Sequence, residues 1–202
     1  MYHLNGHLKV FHGQGVIIMF SYQKRLMYPI DIKKNDLKMA KYLVTQYGGP
    51  NGELNAALRY LNQRYTMPDN KGRALLNDIG TEELSHVEML QTMIYQLTKD
   101  ASVEELIAAG IGCNYTEHGK SFFPTDSFGV PYRATFDSTG DVIADLYEDM
   151  AAEQKARTVY ENLIDMTDDE DILGPLLWLR QREIVHFNLF KELLEYYKSS
   201  QK

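Results

Sequence analysis

Cysteine is nearly absent from this sequence: Cys113 is the single one in 202 residues. No disulfide within the chain is possible, which points to a reducing compartment. A thiol becomes reactive only in an electropositive setting, so Cys113 is read as incidental. Long hydrophobic runs are missing as well. The longest near the start, Val16 to Phe20, falls far short of the roughly 20 residues of a membrane span. It also has neither the basic flank nor the small-residue cleavage site of an export signal. A cytoplasmic chain with no membrane partner is expected. Positive charge is in deficit, with 21 Lys and Arg against 28 Asp and Glu and a net charge of −7. That balance excludes the basic footprint of a nucleic-acid partner. Nor does any region read as rich in strands.

What remains is a composition of 44% hydrophobic and 24% charged residues, ordinary for one globular domain of this length. The first eighteen residues stand apart. They carry His3, His7 and His12 among glycines, at irregular spacing, and show no helical or strand period. Gln14-Gly15-Val16 can be encoded CAAGGAGTN, a purine-rich ribosome-binding sequence shortly before the codon for Met19. The expectation is that 1–18 is a disordered or mis-assigned leader and 19–202 the domain.

Four long amphipathic segments follow. The first covers about 36–67, with Gly48-Gly49-Pro50 expected to break or kink it. The second runs from about Asp69 to Leu97, with Leu76, Ile79, Leu90, Met93 and Leu97 at the three-and-four spacing of a bundle helix. A short helix is expected over Val103–Ala109. The stretch 110–140 then loses the pattern, and its aromatics (Tyr115, Phe122, Phe123, Phe128, Tyr132, Phe136) imply that it packs onto something. The third long segment, Asp141 to about Met166, carries Val142, Leu146, Met150, Tyr160 and Ile164. The fourth is expected to open near Gly174-Pro175, after the acidic cluster 167–171, with Leu176, Leu179, Phe190 and Leu193 as its seam. Two helix pairs joined by one long crossover is the connectivity of an all-α, ferritin-like four-helix bundle.

Polar residues interrupt these seams at matching places. Glu83 and His86 lie between Ile79 and Leu90, and Glu183 and His186 lie between Leu179 and Phe190. Each pair is at i and i+3, so both side chains share the core-facing stripe. Glu53 precedes Tyr60 by a heptad on the first segment, and Glu153 fills the gap between Met150 and Tyr160 on the third. Glu53 precedes Glu83 by 30 residues and Glu153 precedes Glu183 by 30, so each half supplies the same set at an offset of 100. Burying such groups unpartnered would cost several kcal/mol each, which bound metal offsets. One Glu from each of two helices plus Glu-x-x-His from each of the other two is the dinuclear carboxylate pattern, and a thiolate-free set suits manganese or iron. Tyr60, by its heptad relation to Glu53, is the one of fourteen tyrosines expected to aim its hydroxyl at the metals. Glu82, Glu88, Asp145, Glu148, Asp149 and Glu161 rotate off the seams and are expected on solvated faces. His118 is expected to be structural or exposed.

The segments QYGGPNGELNAALRYLNQRYTM, DIGTEELSHVEM, MAAEQKAR and RQREIVHF resemble the manganese catalases, most of all the short CotJC-like members of the bacterial spore coat, over Met19 to the C-terminus. The resemblance implies two manganese ions per chain held by Glu53, Glu83, His86, Glu153 and His186, with Glu83 bridging. It implies that Glu183 is an outer proton acceptor rather than a ligand, whereas the symmetric spacing alone would make Glu183 a second bridge. It also implies that Tyr60 joins the surrounding hydrogen-bond network. Two departures stand out. Larger members similar to this chain carry arginine where Ala152 stands, and they extend further past the fourth helix. The implied activity is disproportionation of hydrogen peroxide by a homo-oligomer, a hexamer in the family. The alternatives are a spore-coat structural protein assembling with other coat proteins, and a di-iron oxidase.

Overall fold

Most of the helices begin where the sequence supplies a side-chain cap. The computed structural model of the chain describes residues 20–23, 25–112, 122, 125–134 and 138–200. The leader, the start at Met19, Cys113, Tyr115, His118, Phe123 and Phe136 lie outside them. Asp36 accepts a hydrogen bond from the Met39 N–H at 2.8 Å at the start of α1 (Leu37–Gly48). Asp69 does so from Gly72 at 2.9 Å before α3 (Asn70–Thr98), and Asp141 from Ile143 and Ala144 before α5 (Val142–Ile164). Each satisfies amides that the first helical turn leaves free. Ser102 and Glu105 form a reciprocal capping box on the short α4 (Val103–Ala108).

The Gly-Gly-Pro interruption breaks the first segment in two, into α1 and α2 (Glu53–Gln63), followed by a 3₁₀ turn over Arg64–Thr66. A Cβ on Gly48 would stand 2.7 Å from the Thr125 carbonyl oxygen, so glycine lets the long connection lie against the end of α1. The last helix, α6 (Glu170–Ser200), starts earlier than expected and contains Pro175. The cause is the acidic cluster: Asp169 accepts from the Asp171 N–H at 3.0 Å, and its carbonyl accepts from Ile172 and Leu173. With the start so capped, Pro175 forfeits a single early helical bond, to the Asp171 carbonyl.

α2 packs along α3 and α5 along α6, with α1 laid on α3. This is an all-α ferritin-like bundle whose two pairs are joined by the 99–141 crossover. Phe122 of the crossover stacks near Tyr47, centroids 5.3 Å apart, and the Tyr132 hydroxyl donates to Asn55 at 3.3 Å. Phe128 departs from the expected packing, at 88% exposed, because Asp126 turns the chain outward there by accepting from the Phe128 and Val130 amides. Among the described residues no helix is long and apolar enough to cross a membrane.

The apolar core falls into two clusters. One holds Leu90, Met93, Tyr160, Leu176 and Leu179, the other Tyr60, Leu76, Ile79, Leu146 and Phe190. α3 passes from the second cluster to the first between Ile79 and Leu90, and α6 passes from the first to the second between Leu179 and Phe190. Glu83, His86, Glu183 and His186 occupy those crossings. They form a polar layer sandwiched between apolar ones.

Candidate metal centre

The six polar seam residues are all buried, none more than 2% exposed. Glu53, Glu83, His86 and Glu183 each offer an atom to a group whose members lie within 4.8 Å of one another, and Glu83, Glu153 and His186 form a second such group. Glu83 belongs to both. One of its oxygens, Oε2, lies 2.6 Å from His86 Nδ1 and the other, Oε1, 2.8 Å from His186 Nδ1. Glu53 approaches His86 Nδ1 at 3.6 Å and Glu153 approaches His186 Nδ1 at 3.8 Å. The imidazoles stack, with centroids 5.7 Å apart.

Short as the Glu83 distances are, both Glu83 oxygens and all four imidazole nitrogens lack a partner in hydrogen-bonding geometry, as do one oxygen of Glu153 and one of Glu183. Buried polar atoms are rarely left so, and orphaning this many would be costly. Their lone pairs converge as ligands do around a cation. Carboxylate and imidazole without thiolate suit manganese or iron, so the residues fit the metal that the spacing implies.

Two tyrosines cross-tie the layer. The Tyr60 hydroxyl donates to Glu153 Oε1, and the Tyr160 hydroxyl donates to Glu53 Oε1. Each stands seven residues after one glutamate and binds the other across the bundle. Tyr60 was expected in this network and Tyr160 was not, although the same heptad and the same offset of 100 mark it in the sequence.

Three of the acidic residues expected on solvated faces are buried instead: Glu82, Asp145 and Asp149. Glu82 lies behind the imidazoles, 3.6 Å from His86 Nε2 and 3.4 Å from His186 Nε2. It accepts from Arg182 Nε at 2.6 Å and from a second Arg182 nitrogen at 3.2 Å. Its pair of contacts explains the burial, since a charged guanidinium stabilises a carboxylate that would otherwise be too costly to desolvate. Asp145 accepts from the Thr139 amide and hydroxyl and the Gly140 amide, tying down the end of the crossover. Asp149, one turn before Glu153, has no hydrogen-bond partner on either oxygen, and burial pushes its carboxyl well above the usual range.

With only the protein's own charges acting, the layer is short of positive charge. Burial, then the neighbouring Glu83 carboxylate, pushes Glu53 up to about 7. Burial, then Glu53, Glu153 and Glu83, pushes Glu183 well above the carboxylate range. Burial works against charge on His86 and His186, but Glu83 and Glu82, with Glu53 beside His86 and Glu153 beside His186, together outweigh it and hold both well above an ordinary imidazole. Glu83 is raised by burial and lowered more by His186 and His86, for a net depression. Burial keeps both tyrosines protonated as donors. A narrow pocket, lined by the 50–53 turn, Arg59, Tyr60, Ala152, Glu153, Ala156 and Glu183, reaches the layer between α2 and α5.

A ferritin-like bundle enclosing a carboxylate–histidine layer defines the class. Comparison with known proteins narrows it. The family model for manganese containing catalase matches residues 19–202, and the chain belongs to that family. Protein CotJC of Bacillus subtilis (strain 168) is 53% identical over 181 residues, 89% of this chain and 95% of that protein. A probable manganese catalase of Clostridium acetobutylicum is 35% identical over 184 residues, 90% of this chain and 82% of its own. Wild-type KatB, a manganese catalase from Anabaena, superposes with a TM-score of 0.77 at 34% identity, over 89% of this chain and 81% of KatB.

Proposed function

We propose that the chain is a manganese-dependent catalase that converts two hydrogen peroxides into dioxygen and two waters. The observation that carries this reading is the pair of ligand groups sharing Glu83 at the foot of a pocket, in a member of this family. Glu53, Glu83 and His86 would hold one metal ion and Glu83, Glu153 and His186 the other. When bound, a manganese pair supplies the two-electron redox chemistry that disproportionation requires without free radicals.

The protein's own part is to orient ligands and move protons. Tyr60 and Tyr160 each occupy one oxygen of a glutamate and leave the other free for metal. Glu183 lines the pocket and keeps its Oε1 without a partner, which suits it to take a proton from peroxide and return it to the departing water. Its place within 4.8 Å of Glu53, Glu83 and His86 ligand atoms supports a ligand role equally on distance alone, so the roles are separated by substitution. Glu183→Gln should lower turnover by about 10²–10⁴-fold with metal content kept. Loss of metal together with activity would make Glu183 a ligand.

The decisive experiment is metal analysis after growth with balanced manganese and iron, paired with dioxygen release from peroxide. Manganese at two per chain with dioxygen evolution supports the catalase. Iron with dioxygen consumption would make the chain a di-iron oxidase. A second reading, assembly into the spore coat from the cytoplasm, follows from the CotJC-like resemblance and is favoured by the exposed Phe128 and Val130 of the crossover. Metal without turnover would support it. A homo-oligomer, hexameric as the resemblance implies, is compatible with either role and is read by light scattering.

A further inference from the structure

Arg59 is an unusual residue to find in the wall of this pocket. It lies on α2, is 5% exposed, and is the one cationic residue among the described residues that line the pocket alongside Glu53, Glu153 and Glu183. Guanidinium stays charged at any working pH, so its burial has to be compensated. The compensation is partial. One terminal nitrogen stands 3.4 Å from the half-buried Glu148, the guanidinium charge partly offsets the upward push of burial on the Asp149 carboxyl, and the Nε–H finds no acceptor in the protein. The opposite wall gives no cation, since α5 presents Ala152, Glu153 and Ala156 there. Its Nε–H, buried and unpartnered in the wall of a pocket that leads to four carboxylates, lacks a small acceptor.

We propose that Arg59 is the residue that receives peroxide, and small anions that compete with it, in the pocket above the metal centre. The inference rests on the catalase reading and adds the residue that positions its substrate. The pocket is narrow, with room for about one water-sized molecule, so only the smallest acceptors reach Arg59. Peroxide carries oxygen lone pairs that accept, and a charged N–H fixed in the pocket wall offers them a charge-assisted hydrogen bond. Arg59 in this role is a positioning residue, holding one oxygen of peroxide while the other faces the site.

The alternative is that Arg59 merely ties α2 to α5 through Glu148 and Asp149. The test uses full-length protein loaded with manganese, comparing wild type, Arg59→Lys and Arg59→Gln, with metal content and melting temperature measured for each. Two readings are taken: the kcat and KM for peroxide, and the azide dissociation constant from the absorption change of the loaded protein. Arg59→Gln should raise KM and weaken azide about tenfold or more, the worth of one charge-assisted hydrogen bond, with kcat changed far less. Arg59→Lys, which keeps the charge, should recover part of both. Unchanged KM and azide affinity alongside a lower melting temperature would make Arg59 a structural tie and overturn the proposal. If wild type binds manganese but releases no dioxygen, the catalase reading fails by itself. Azide then decides: affinity that depends on Arg59 keeps its acceptor site, and affinity that does not removes it.

Discussion

Removing the metal should make the protein's stability fall as pH rises, the reverse of ordinary acid denaturation. The sign comes from the groups of the buried layer. Glu53 is raised from 4.5 to about 7 by burial and by Glu83, so the folded chain binds its proton more tightly than the unfolded chain. Stability is therefore lost as pH rises from about 4.5 to about 7. At about 1.4 kcal/mol per pH unit, Glu53 alone is worth about 3 kcal/mol. The raised His86 and His186 act in the same direction: their contribution is complete below the ordinary imidazole value and disappears as pH climbs through their folded values. Glu83 is depressed, so its contribution is present above the ordinary carboxylate value and constant over this window. In a chain of 202 residues, 3 kcal/mol corresponds to roughly 6–12 °C in Tm. Bound metal replaces those protons, and its affinity grows with pH. Thermal melts between about pH 5 and pH 8, in chelator and with excess manganese, should thus diverge as pH rises. A metal-free Tm that stays flat or climbs across this range would refute the reasoning, because the layer would then not be starved of positive charge.

Three substitutions probe the residues around the proposed ligands. Tyr160→Phe keeps the ring in its apolar cluster and removes the donor to Glu53, so manganese affinity in chelator competition should drop by roughly tenfold or more. Tyr60→Phe should match it within a few-fold, and a large inequality would show that the two halves are not equivalent. Glu82→Gln should weaken manganese binding by about 10–100-fold, while Glu88→Gln on the same helix should bind as wild type; equal affinities for both would remove Glu82 from the centre.

Much of the fold was legible because it rests on local signals. Asp36, Asp69 and Asp141 are caps, Gly48–Pro50 is a break, and the seams of α3 and α6 repeat at three and four. The sequence alone sets the start of α6 late, because Pro175 suits a first turn, while the capping strength of Asp169 carries the helix back a turn. The buried carboxylate–histidine cluster is legible as polar gaps in apolar seams. Glu82 is not, and the reason is geometric. Periodicity correctly rotates it about 100° from Glu83, yet burial on that side is decided by what α6 presents there, and a single helix's pattern holds no record of its neighbour's Arg182. Tyr160 carries the same heptad signal, but its apolar ring satisfies the seam and conceals the hydroxyl.

The offset of 100 also explains why the halves differ where they do. Residues far from the pseudo-two-fold axis have equivalents that never meet, and they can be identical: Glu53 and Glu153, Tyr60 and Tyr160. Residues near the axis face their own counterparts. His86 and His186 can do so because stacked rings tolerate likeness. Positions 82 and 182 touch at 2.6 Å, and two glutamates there would repel in a buried setting, so one half carries Glu and the other Arg. The same reasoning applies to Glu83 and Glu183. Glu83 sits between the imidazoles, with an oxygen for each, and so fills the central position of both ligand groups. A second carboxylate has no equivalent place between the same two rings, which leaves Glu183 at the pocket, its oxygen unpartnered, where a proton carrier is of use.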